Sequence, residues 1–295
     1  MQCELPNATI RYEVHGEGLP VLLLHGWTMD RRLEIADYEP IFAHRNSEGR
    51  NGYRRIYPDL PGMGQSEAKA GLRNQDDVLE ALLGFIDQVI GRDRFILAGT
   101  SLGGYLARAI AVKRRTQVAG LLLRVPAVIP DTAKRTLPLF EPVVRDDALM
   151  ARLAADERTA LGDVLVQTPG YLESLRPKVH ELVLPAIAAT QPIAHEIRAD
   201  PARYGVSFDL AGAEKGFDAP TLIIAGRQDT TVGYRDAMGL LESYPRATLA
   251  VLDSADHKWP VVRLTLLEAL VENWLARIVL AEKASGAAAS SEKDR

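Results

Sequence analysis

Ser101, Asp229 and His257 carry the three side chains that nucleophilic attack on a carbonyl requires. Ser101 lies in the middle of Gly99-Thr100-Ser101-Leu102-Gly103, which fits G-x-S-x-G. A hydroxyl at the tip of so tight a turn sits on strained backbone, and larger residues two before or two after it would collide. A free serine hydroxyl is a poor nucleophile at neutral pH, so it needs a base. The chain has six histidines. His15, His25 and His44 fall early, and His180 and His195 fall in a strand-free stretch, whereas His257 follows the last predicted strand. Asp229 comes directly after the predicted strand at 222–225, where it would fix the tautomer of His257 and stabilise its imidazolium. Asp131, Asp253 and Asp256 are the rival carboxylates. The N–H of Leu102, next after the nucleophile, is one donor for the oxyanion such an attack creates.

The elements that must position these groups read as alternating strands and helices. Residues 95–98 form a short apolar run, as expected of a strand buried on both faces, and a helix-like segment follows at 106–113. Strand, sharp turn and helix place the serine at a helix start, whose free N–H groups favour developing negative charge. Further strands are predicted at 8–15, 20–24, 54–57, 118–123, 220–225 and 248–252. Helical character is mixed at 29–44 and amphipathic at 76–90 and 264–280, with a further helix at 234–243; Asn74 or Asp76 is the cap expected for the helix at 76–90. Between about 131 and 210 the alternation stops, and the chain reads as helices punctuated by prolines. The predicted layout is a core of residues 1–130 and 211–281, a helical insertion at 131–210, and a disordered tail at 282–295. Trp27, Ser101, Arg124, Asp229 and His257 each follow a predicted strand. In an open parallel sheet they would share the carboxyl edge, where ligands bind.

The chain has 295 residues, 47% hydrophobic and 25% charged, an ordinary globular composition with length enough for a large core. Its net charge of −4 argues against nucleic acid or an anionic membrane as partner. A single cysteine, Cys3, excludes an intrachain disulfide and the cysteine-based zinc patterns. No secretory leader or membrane span is apparent, so a cytoplasmic location is expected.

Five ordered motifs together resemble the α/β-hydrolase superfamily: His25-Gly26-Trp27, the 59–66 segment D-L-P-G-M-G-Q-S, the 99–103 elbow, the 226–229 segment G-R-Q-D, and Asp256-His257. The order serine, aspartate, histidine is that family's order. The resemblance implies an α/β fold, a mostly parallel sheet with helices on both faces, and a helical cap inserted over the site. It also implies that the Trp27 main chain supplies the second oxyanion donor. Two positions depart from the family pattern: Thr100, where histidine often precedes the nucleophile, and Asp256, where glycine usually precedes the base. Serine at 101, rather than aspartate, favours acyl chemistry over that of epoxide hydrolases or haloalkane dehalogenases.

The expected activity is hydrolysis of a small carboxylic ester or lactone through an acyl-serine, with no metal or organic cofactor. The same triad serves hydrolases of carbon–carbon bonds in β-diketone-like or ring-cleavage products, and a receptor with little turnover is the alternative of another class. Asp59, Gly62, Gly64 and Ser66 read as a structural turn shaping the pocket floor. Met63 and Trp259 either line the pocket or pack. Arg124 ends an apolar strand at the edge where substrate should lie. It either pairs with a carboxylate such as Asp131 or receives a carboxylate or carbonyl of the substrate.

Overall fold

The computed structural model describes residues 1–47, 52–258 and 264–293. Among these, a nine-stranded sheet has the order β1-β2-β4-β3-β6-β7-β8-β9, with β5 paired to β2. The strands are β1 (Gln2–Glu4), β2 (Ala8–His15), β3 (Leu19–Leu24), β4 (Tyr53–Pro58), β5 (Glu67–Ala68), β6 (Phe95–Thr100), β7 (Val118–Arg124), β8 (Thr221–Gly226) and β9 (Ala247–Leu252). From β4 to β9 every pairing is parallel, and β1, β2 and β5 form the antiparallel end. The central strands β6, β7 and β8 are buried at every position, because helices cover both faces.

Those helices are α1 (Arg31–Ser47), α2 (Gln75–Val89), α3 (Leu102–Lys113), α11 (Tyr234–Gly239) and α12 (Leu264–Lys293). α1 is one helix despite Pro40 inside it, held down by the buried side chains of Tyr38, Ile41 and Phe42. Asn74 caps α2, its side chain accepting from the Asp77 N–H at 3.0 Å. α12 continues to Lys293, through a stretch from 282 for which the sequence predicts a disordered tail; the alanines there favour helix.

Between β7 and β8 the described chain contains short helices and an isolated bridge, Val144–Val166. They are α4 (Asp147–Arg152), α5 (Ala155–Leu161), α6 (Pro169–Pro177), a wide π-helical turn at Lys178–Val183, α7 (Leu184–Ala189), α8 (Pro192–Ala199), α9 (Pro201–Tyr204) and α10 (Leu210–Ala213). Leu153, Leu161, Val164, Tyr171, Leu172, Leu175 and Val179 form an apolar cluster of their own in this insertion.

The strand order reverses between β3 and β6: the chain leaves β3 toward β4 and returns to pair β6 on β3's other side. Such a reversal opens a crevice beyond the carboxyl ends of the two strands. His25-Gly26-Trp27 leaves β3 there, and Ser101 leaves β6. No described helix is long and apolar enough to cross a membrane.

Candidate active site

Ser101 sits at φ 54°, ψ −115°, between β6 and α3. Backbone contacts force this shape. A Cβ on Gly99 would stand 2.2 Å from the Gly103 oxygen, and one on Gly103 would stand 2.2 Å from the Leu24 oxygen. Both positions therefore have to be glycine for strand, turn and helix to close on one another. The Ser101 N–H donates to the Arg124 carbonyl at 3.0 Å, and its carbonyl accepts from Tyr105 and Ala127 at 3.1 and 3.0 Å.

His257 Nε2 lies 2.9 Å from Ser101 Oγ, and its Nδ1 lies 2.8 Å from Asp229 Oδ2. The other Asp229 oxygen accepts the N–H groups of Thr231 and Val232 at 2.8 and 3.0 Å. Burial would raise the Asp229 pKa, but the His257 ring and these two N–H groups outweigh it and hold the carboxyl below the usual range. Asp229 is thus the acid on the imidazole. Asp256 instead accepts the Lys258 N–H at 3.0 Å, and burial pushes its pKa up. The spatial chain is serine to imidazole to buried carboxylate, able to move a proton off the hydroxyl.

Beside it, a Cβ built on Gly26 would stand 3.3 Å from Ser101 Cβ and 3.8 Å from its Oγ, so the Gly26-Trp27 turn runs against the serine side chain. His25 secures that turn. It is fully buried, its Nδ1 lies 2.7 Å from the Gly26 carbonyl, and its Nε2 accepts the Leu60 N–H at 2.8 Å. These partners require the Nδ1–H tautomer, and burial holds the pKa of the ring below its usual value. The 59–66 turn thereby braces the opposite loop: Asp59 accepts from the Arg31 and Gln65 N–H groups at 2.8 Å each. Leu102 begins α3, so its N–H has no partner within the helix.

A cavity of ≈ 190 Å³ opens beside Ser101 and His257. Trp27, Met29 and Leu33 line it from the core, and Ala160, Leu161, Leu175, Val179 and Val183 from the insertion. Its charged lining residues, Arg124, Lys178 and Lys258, are all basic. Lys258 reaches the insertion, its Nζ donating to the Leu161 carbonyl at 2.5 Å and to that of Asp163. Met63 lies elsewhere, in a much smaller cavity behind Trp27 and Leu102. Trp259 falls outside the described residues.

Arg124 lines the cavity, yet its partners differ from those the sequence suggests. Nη1 donates to Asp37 at 2.6 Å, Nη2 reaches Glu34 at 3.4 Å, and Nε donates to Thr100 Oγ1 at 3.1 Å. Asp131 is engaged with Ala133 and Lys134 instead. The expectation failed because chain proximity favoured Asp131, whereas α1 packs two acids against the end of β7. Glu34 and Asp37, spaced for one helix face, were the signal available in the sequence. Lys178 and Lys258 were missed as cavity residues for want of any such pattern.

The four non-glycine residues with positive φ among those described are Thr28, Ser101, Val125 and Ser254. Each follows a strand at this same edge, after β3, β6, β7 and β9. No group of three or more metal-ligating side chains occurs among the described residues.

The chain is 31% identical over 92% of its length to a 2-hydroxymuconate semialdehyde hydrolase of Pseudomonas putida, of which the match covers 93%. A superfamily hydrolase structure from Oenococcus oeni PSU-1 superposes with a TM-score of 0.76 at 25% identity, covering 94% of this chain and 99% of that one. The enol-lactonase of Burkholderia xenovorans LB400 shares the fold, with a TM-score of 0.63 at 19% identity, 94% of this chain and all (100%) of that one being covered. A family model described as alpha/beta hydrolase fold matches residues 20–259, from β3 through His257. With that match spanning the reversed strand order, the elbow and the whole serine–histidine–aspartate chain, the protein belongs to the α/β-hydrolase fold family.

Proposed function

We propose that this protein is a serine hydrolase that cleaves a small carboxylic ester or lactone through an acyl-serine intermediate. The observation that carries the reading is the continuous hydrogen-bonded chain from Ser101 Oγ through His257 to Asp229. Ser101 attacks the substrate carbonyl carbon as His257 Nε2 takes the hydroxyl proton, and Asp229 stabilises the resulting imidazolium. The N–H groups of Leu102 and Trp27 hold the oxyanion. The imidazolium then protonates the departing oxygen, and a water that gives its proton to His257 attacks the acyl-serine and releases the acid. These steps call on side chains and main-chain N–H groups alone. The insertion acts as a cap, since its helices supply much of the apolar wall of the cavity.

Hydrolysis of a carbon–carbon bond in a ring-cleavage product is the second reading. Similarity to the Pseudomonas putida enzyme over 92% of the chain favours it.

A panel of short esters, lactones and acidic ring-cleavage products, run beside labelling by a small fluorophosphonate, tests both. Wild type should be labelled and turn over at least one class. Ser101→Ala should keep the fold and lose labelling, because the change removes one hydroxyl. Labelling of Ser101→Ala at the wild-type rate would overturn the nucleophile, and binding without turnover across the panel would point to a receptor.

A further inference from the structure

Beneath the cavity lies a buried cluster of two acids and two bases: Glu34 and Asp37 of α1, Arg124 at the end of β7, and Lys178 from the insertion. Such a cluster is expensive. Apolar residues of similar volume often serve packing as well or better, so its presence invites a reason other than stability.

The connections suggest one. Arg124 holds the nucleophile elbow from two sides: its carbonyl accepts the Ser101 N–H at 3.0 Å, and its Nε donates to Thr100 Oγ1 at 3.1 Å. Thr100 Oγ1 in turn donates to Glu34 at 3.1 Å. On its far side the guanidinium meets Asp37, whose carboxylate also accepts Lys178 Nζ at 3.1 Å. Burial would raise the Asp37 pKa, but Arg124 and Lys178 outweigh it and keep the carboxyl ionised. Lys178 opens the π-helical turn Lys178–Val183, and Val179 and Val183 of that turn line the cavity. Wide turns of this kind are often found at functional sites. If Lys178 withdraws, Asp37 loses one of its two cations and draws more strongly on Arg124. Arg124 can then slacken its Nε bond to Thr100 and its longer reach to Glu34, which also accepts from Thr100, so either movement is felt at the elbow.

We propose that Asp37 and Arg124 are positioning residues that couple the seating of the inserted helices over the site to the geometry of Ser101. The inference rests on Ser101 being the nucleophile. Wild-type labelling by a fluorophosphonate, absent in Ser101→Ala, checks that reading separately.

Asp37 is a suitable place to cut the link, since it is not among the residues lining the cavity. Asp37→Asn should slow the limiting rate of fluorophosphonate labelling by about tenfold or more, without changing the probe concentration that gives half of it. The charge-balanced double variant Asp37→Asn/Lys178→Met also removes the cation that the Asp37 carboxylate balanced, so it should recover much of any lost melting temperature while labelling stays slow. A merely structural cluster predicts that labelling and melting recover together. Should both variants fail to fold, Thr100→Val cuts the link at its other end without removing a charge, and should show the same slowed labelling. Wild-type labelling by any folded member of the set would overturn the coupling.

Discussion

Asp229 and Asp256 both stand close to His257, and their surroundings divide the work between them. Asp229 is fixed by two backbone N–H groups and meets Nδ1, so it holds the ring with Nε2 toward Ser101. Asp256 is turned to the main chain of Lys258. Asp229→Asn should therefore lower kcat by about ten-thousandfold, as expected when an imidazole loses its orienting carboxylate. Asp256→Asn should leave turnover near the wild-type value. Steady-state rates of the two variants on one substrate check this, and the reverse ranking would transfer the acid's role to Asp256. The strained serine and its imidazole were legible in the sequence because each has a distinctive local setting: glycines at fixed offsets in one case, the end of the last core strand in the other. The charged floor of the cavity was not. Glu34 and Asp37 share one face of α1, but Lys178 and Arg124 come from segments far away in the chain, and the spacing of the two acids does not say which cations they meet.

At the scale of elements, α3 starts directly after Ser101 and is pinned near its middle by a second buried ion pair. Arg108 grips Glu214 with two bonds of 2.8 and 2.7 Å, and Tyr244 donates to the same carboxylate at 2.6 Å. This clamp ties α3 to the chain just beyond α10, where the insertion ends. Removing the acid strands a buried guanidinium, so Glu214→Ala should lower the unfolding free energy by about 3–5 kcal/mol. Tyr244→Phe should cost about 1 kcal/mol. Denaturant titration measures both, and a loss under about 1 kcal/mol for Glu214→Ala would mean that the site collapses or admits water. The core strands β3, β6, β7 and β8 were readable as apolar runs, since burial on both faces leaves little room for polar residues. The short strands β1 and β5 escaped notice because two or three residues carry no period. The insertion was legible as helical, and the helix read over 171–189 runs unbroken as α6, the π-helical turn and α7 despite its prolines; the single helix read over 147–166 is instead split into α4 and α5.

For the molecule as a whole, proton linkage pulls in two directions. Asp229 and Asp37 have depressed pKa values, so the stability they contribute is present above the unfolded value and is lost as pH falls through the folded one. Glu34 and Asp256 have raised values; their contribution is complete at low pH and is lost as pH rises through the folded value. Asp256→Asn fixes the neutral form, so it should melt at or above wild type near neutrality, by about 2 °C or less, with the gap closing on acidification. Melting curves across the acid range check the sign, and a gap that widens toward low pH would refute it. The left-handed backbone at Thr28, Ser101, Val125 and Ser254 sets a different kind of limit. Each such angle on a residue with a side chain carries a standing cost of about 1–2 kcal/mol, met by the packing of everything beneath it. Selection for heat tolerance would relax those angles first if nothing opposed it, yet they shape the loops around Ser101 and His257. A lineage moving into hotter surroundings would thus be driven to improve the opposite rim of the sheet, and would inherit this edge as an unrepaired debt.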